Sequence, residues 1–197
     1  MATLCTLGSM SKTPILFGFN GSLIDIDEIA SKCFKEVFEN EFKRELPNLK
    51  KFFYPQNTVL NMYPDLDQMK LLKFMKAFSD KLRSQLDKVP FEQSEILDRY
   101  SSEYKFQLIS SFPNEVIFNF LEEHRVLKFF DMVLGCNDFE KTLLPLNYYQ
   151  PLKSMFEEKI TFIHQDPLRL LQGKKYGMQV LKINDSREIE NYLLNPK

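Results

Sequence analysis

An apolar run from Ile15 to Phe19, a turn at Gly21-Ser22 and an amphipathic stretch starting near Asp27 follow one another without a spacer. A strand that feeds straight into a helix is the opening half of a βαβ unit, and such units build parallel sheets. In the helical stretch, Ile26, Ile29, Ala30, Cys33, Phe34, Val37 and Phe38 recur at the three-to-four spacing that lines one helix face, with Asp27 as its expected cap. This helix should end before Pro47.

The middle of the chain reads as helical. Asn48 to Pro64 carries aromatic, Asn and Pro punctuation and reads as a loop or short helical turns. Asp65 to Leu86 is a second strong helix with Met75, Phe78, Leu82 and Leu86 on one face, and Pro90 can start a third that runs to Tyr100. Beyond Tyr104 the pattern changes to short apolar runs between helices. Strands are expected at Phe106 to Ile109, Asp131 to Gly135, Ile160 to His164 and Gln179 to Ile183, and a helix at Asn114 to His124. Asp166 and Pro167 open another helix that stops at Gly177, and Asp185 with Glu188 forms a capping-box-like pair for the last one. Strands alternating with helices predict a parallel sheet covered on both faces. The fold class is therefore α/β, a Rossmann-like core of residues 13–26 and 101–197, with residues 27–100 inserted as an α-helical cap.

Bulk properties exclude several classes. With 26 basic and 27 acidic residues the chain lacks the positive excess of a nucleic-acid binder. Cys5, Cys33 and Cys136 are too far apart for a short-spaced zinc motif or a disulfide framework, so buried free thiols are expected. Met1 to Lys12 has neither a signal-peptide apolar run nor an arginine, and every apolar stretch is interrupted before the roughly twenty residues needed to span a bilayer. A soluble, cytoplasmic protein without membrane or nucleic-acid partners is the expectation.

The segment Phe17-Gly18-Phe19-Asn20-Gly21-Ser22 resembles the first motif of the haloacid dehalogenase superfamily, in which the strand ends in Asp-x-Asp-Gly-Thr or Asp-x-Asp-Gly-Ser. Lys105 to Pro113 resembles the second motif, Glu140 to Tyr148 the third, and Ile160 to Arg169 closing at Tyr176-Gly177-Met178 the fourth. The resemblance covers about residues 13 to 195 and implies the same fold, with a helical cap after the first motif. It also assigns positions. Gly18 stands at the nucleophile, Asn20 at the acid, Thr142 at the lysine with Lys141 beside it, Gln165 and Arg169 at the fourth-motif acids, and His164 at a glycine.

In that family a carboxylate attacks phosphorus and a second one protonates the leaving group. Glycine offers no attacking atom, and an amide is no acid near neutral pH. Magnesium prefers oxygen ligands with one or two carboxylates among them, which Gly18, Asn20 and Gln165 do not supply. The expectation from sequence is thus a catalytically inactive member, a pseudophosphatase, with no catalytic residue and no metal or other cofactor. It would act by binding a protein partner or a small anionic ligand, with Ser22, Ser110, Lys141, His164 and Asp166 as candidate ligand-binding residues. Two alternatives stand beside it. One is an active phosphatase-like hydrolase that uses displaced acids such as Asp25 or Asp166, and the other is a structural subunit of a larger assembly.

Overall fold

The computed structural model describes residues 12–49, 53–136 and 159–195. Five parallel strands form one sheet in the order β3-β2-β1-β4-β5. They are β1 (Thr13–Gly18), β2 (Tyr104–Ile109), β3 (Phe130–Leu134), β4 (Thr161–His164) and β5 (Gln179–Lys182). Alternation within the strands splits the core in two. Ile15, Phe17, Phe106, Leu108 and Ile163 pack on one face, while Leu16, Ile109 and Phe162 pack on the other. Buried on both sides, β1 reads as the continuous apolar run expected of a central parallel strand.

Four helices intervene between β1 and β2: α1 (Asp27–Phe42), α2 (Pro55–Met62), α3 (Gln68–Leu86) and α4 (Ser94–Tyr100). The predicted apolar faces are the buried ones, with Ala30, Cys33, Phe34 and Phe38 on α1 and Met75, Phe78, Leu82 and Leu86 on α3. Helix α5 (Asn114–Glu123) follows β2, α6 (Pro167–Lys175) follows β4, and α7 (Glu188–Leu194) closes the described chain. The architecture is the α/β, Rossmann-like sheet with inserted helices that the alternation predicts. None of the helices among the described residues is long and apolar enough to cross a membrane.

Local chemistry differs from the sequence reading at three places. Asp27 is not the cap of α1: Ile26 holds that position, and Asp27 and Glu28 sit in the first turn, where their charge favours the positive helix end. The segment read as a loop or short helical turns contains the two-turn helix α2, started by Pro55 in the first turn. The Asp185–Glu188 capping box does not form. Asp185 instead accepts from the Arg187 backbone N–H at 2.9 Å and pairs with its guanidinium, and α7 begins at Glu188.

Candidate functional site

The carboxyl ends of β1, β2 and β4 meet where the strand order reverses, the place where an open α/β sheet leaves a crevice. The loop after β1 is tightly tied there. Gly21 has φ +86°, a conformation that suits glycine, and its carbonyl accepts from the Gln165 backbone N–H at 2.6 Å. The Ser22 hydroxyl accepts from the Gly18 N–H at 3.0 Å and donates to the Ile163 carbonyl. The candidate Ser22 therefore fastens the loop to β1 and β4, with 1 % of its surface exposed.

Asn20 is held on both sides of its amide. Its nitrogen donates to Asp27 Oδ1 at 2.7 Å, and its oxygen accepts from the Ile26 N–H at 3.1 Å. An acid therefore stands one hydrogen bond from the position where the resemblance puts one. Asp25, by contrast, is exposed and turns its carboxylate to the Asp27 N–H at 3.3 Å.

His164 ends β4 fully buried, against Gly18. A Cβ on Gly18 would lie 2.3 Å from the imidazole Cδ2 and 2.6 Å from Nε2, so the ring occupies the space that a side chain at 18 would need. His164 Nδ1 accepts from the Asp166 N–H at 2.9 Å, which places the ring proton on Nε2, toward the Asn20 backbone. Burial first, and the Arg169 guanidinium second, hold this imidazole well below its ordinary pKa, while the bond to the Asn20 backbone opposes them. The consequence has a definite sign. The unfolded chain takes up the histidine proton near its usual value of about 6.5 and the folded chain does so only at lower pH, so stability should fall as pH drops below about 6.5. The expected slope from this group is up to about 1.4 kcal/mol per pH unit, and His164→Gln should flatten it in urea unfolding measured between about pH 7 and about pH 5. An unchanged slope would show that His164 does not carry the effect.

Ser110 and Ser111 follow β2. The Ser110 hydroxyl accepts from the Phe112 N–H at 3.1 Å, a local turn bond. Ser111 reaches across to two elements, with its hydroxyl 3.4 Å from the Phe53 carbonyl and 3.3 Å from an Arg169 nitrogen. Lys141 and Thr142, expected at the third motif, lie outside the described residues.

Asp166 caps α6 as predicted, accepting from the Leu168 N–H at 2.9 Å through Oδ1. Its Oδ2 lies 3.8 Å from Arg169 Nε. Arg169 is 5 % exposed, and its guanidinium carbon sits 4.4 Å from the centroid of the Tyr54 ring, which comes from the chain entering α2. Burial pushes the Tyr54 hydroxyl pKa up, with Arg169 pulling the other way. Arg169 therefore joins inserted helices to sheet. Such a desolvated cation–ring contact contributes about 2 kcal/mol. Above it opens a cavity of about 460 Å³ between α2 and α6, with Asp166, Arg169 and Tyr54 on its wall. Gln172 is there too, its buried Oε1 without a hydrogen-bond partner among the described residues. Sequence reading singled out Asp166 and Arg169 but missed Tyr54, whose one local signal is its place before a helix-starting proline.

The metal position that the resemblance implies falls at the end of β1, with Asn20, Asp27 and Gln165 nearby. Gly18 has no side-chain oxygen, both amide atoms of Asn20 are engaged within the loop, and no three His, Cys, Asp or Glu side chains converge among the described residues.

A five-stranded parallel sheet with inserted helices and a cleft at its carboxyl edge defines a Rossmann-like α/β protein of the helical-cap kind. Residues 15–183 match the family of haloacid dehalogenase-like hydrolases, and the chain belongs to that family. Solved structures share the fold. CbbY from Rhodobacter sphaeroides, in complex with phosphate, superposes with a TM-score of 0.68 at 10% identity, covering 86% of this chain and 84% of that one. A hydrolase from Streptococcus pneumoniae TIGR4 gives 0.56 at 16% identity, covering 93% and 99%. A HAD-superfamily hydrolase of subfamily IA from Geobacter sulfurreducens gives 0.58 at 11% identity, covering 92% and 96%. A search of curated proteins finds no significant match. The expectation of a non-enzyme is corrected by the family match, which places nearly the whole span from β1 to β5 among hydrolases. The substitutions at Gly18 and Asn20 stand as read, but one acid, Asp27, is hydrogen-bonded directly to Asn20, a contact the sequence reading did not place.

Proposed function

We propose that the chain is a phosphatase-like hydrolase whose working carboxylate is Asp166, with residues 27–100 acting as a cap over a core of 13–26 and 101–197. One observation carries this reading: Asp166 and the buried Arg169 stand 3.8 Å apart on the wall of a 460 Å³ cavity between α2 and α6. Asp25 turns away from that space and Asp27 is bonded to Asn20, so Asp166 is the acid best placed to meet a ligand. Arg169 supplies positive charge for a phosphoryl group, in a setting where burial strengthens the attraction. Attack by Asp166 Oδ2 on phosphorus expels the ester alkoxide, which takes a proton from water. Water then cleaves the aspartyl-phosphate, restoring the carboxylate and releasing phosphate.

Purified protein should hydrolyse p-nitrophenyl phosphate, assayed both with and without magnesium. Asp166→Asn should lower kcat/KM about 100-fold or more. Asparagine caps a helix about as well as aspartate, so the variant should stay folded, checked by circular dichroism, although buried Arg169 loses its neighbouring carboxylate. Absence of turnover by the unaltered protein, or full activity in Asp166→Asn, would sink the proposal.

A further inference from the structure

Asp166 and Arg169 carry opposite charges at the start of α6, and both side chains are mostly buried, yet Arg169 Nε stands 3.8 Å from Asp166 Oδ2. A carboxylate and a guanidinium with nothing else to hold them close to about 2.7–2.9 Å, the length of a charge-assisted hydrogen bond. Two other groups hold this cation. Its guanidinium carbon lies over the Tyr54 ring, 4.4 Å from the centroid. The Ser111 hydroxyl is 3.3 Å from one of its terminal nitrogens and 3.4 Å from the carbonyl of Phe53, the residue before Tyr54. Attraction to a ring face needs no hydrogen bond, so the ring can fix the cation without using the N–H donors that meet a phosphoryl oxygen.

Resting on the hydrolase reading for its chemistry, we propose that Tyr54 is a positioning residue, whose ring keeps the Arg169 guanidinium off Asp166. The cation then meets the phosphoryl group, and Asp166 Oδ2 stays open for attack. With the ring removed, the guanidinium closes on the carboxylate at hydrogen-bond distance. That pairing offsets the phosphoryl-binding charge and covers the attacking oxygen in one movement. With the ring present, the arginine is ordered before the anion arrives and loses little further freedom on binding it. The ring face alone is needed for this, not the hydroxyl.

The test reads binding of inorganic phosphate by calorimetry, which requires no turnover. Tyr54→Phe should bind phosphate within about twofold of the unaltered protein, and Tyr54→Leu about tenfold or more weakly, the scale of a lost cation–ring contact. Circular dichroism confirms that both variants are folded, and Tyr54→Met replaces the leucine variant if that one does not fold. A ring with a merely structural role would lower the melting temperature of Tyr54→Leu and leave the phosphate affinity of its folded form unchanged, which overturns the proposal. Equal losses in Tyr54→Phe and Tyr54→Leu overturn it too, because the hydroxyl would then be the working part. Failure of the unaltered protein to bind phosphate does the same, even where p-nitrophenyl phosphate is turned over. Affinity lost in Tyr54→Leu and kept in Tyr54→Phe supports it, and does so also if turnover is absent, in which case the hydrolytic reading alone fails.

Discussion

Phe34→Ala should destabilise the protein by about 4 kcal/mol, within the range for emptying a buried phenylalanine site. The ring is fully buried on α1 and meets four others, Phe38, Phe53, Phe74 and Phe78, at centroid distances of 6.1, 5.1, 5.3 and 5.4 Å. Three of these contacts are edge-on, an arrangement that adds to simple burial. Truncation removes all four at once. For a chain of this size, each kcal/mol shifts the melting temperature by about 2–4 °C, so a drop of about 8–16 °C is expected in a thermal scan. Phe34→Leu retains most of the volume and should cost about 1 kcal/mol. The damage should also reach the cavity, because Phe53 precedes Tyr54, the residue stacked on Arg169. Alanine at 34 with stability close to the leucine variant would show that the ring cluster collapses around the gap.

How far the sequence reaches depends on the range of the interaction. Periodicity located α1 and α3 and their buried faces because those signals are carried by residues three and four apart. The β-strand ends shifted by a residue or two: β1 is Thr13–Gly18 where Ile15 to Phe19 was expected, since Thr13 and Pro14 pair with Tyr104 and Lys105 across the sheet. Helix α2 is the short helical alternative of the segment read as a loop or short helical turns; its eight residues are too few for periodicity to choose between the two. The Asp185–Glu188 pair had capping-box spacing, but Arg187 competes for the carboxylate and holds Asp185 at a pKa of about 2.

The candidate site was legible as a set of positions but not as a set of contacts. Ser22, Ser110, His164 and Asp166 all lie at the carboxyl edge of the sheet, as loops after strands must. Ser110, His164 and Asp166 find backbone partners two residues on, whereas Ser22 bonds Ile163 and Arg169 meets Ser111, partners far away in sequence. That is why a glycine and an asparagine at the end of β1 suggested a lost activity. The carboxylate contact that bears on the question and that sequence could not place is Asp27 beside Asn20, seven residues on, which becomes visible when the loop after β1 is placed.

Gly18 and His164 should behave as one packed unit. Gly18→Ala is expected to cost about 3 kcal/mol in urea unfolding, since its Cβ would come 2.3 Å from a fully buried ring and one of the two must move. Gly18→Asp should cost more, about 4 kcal/mol or above, because a carboxylate would also enter a dry site already filled by imidazole. His164→Ala alone loses the acceptor for the Asp166 N–H and leaves a cavity, for about 2–3 kcal/mol. In the double variant Gly18→Ala/His164→Ala the new methyl group enters the space the ring has left. The two penalties should then fall short of their sum by 1 kcal/mol or more, the coupling expected of residues in direct contact. Strict additivity would mean that the ring can swing aside without cost. A coupled result would explain why glycine stands at the end of β1: the histidine that closes β4 requires it, and that same histidine holds the backbone of Asp166 where the cavity begins.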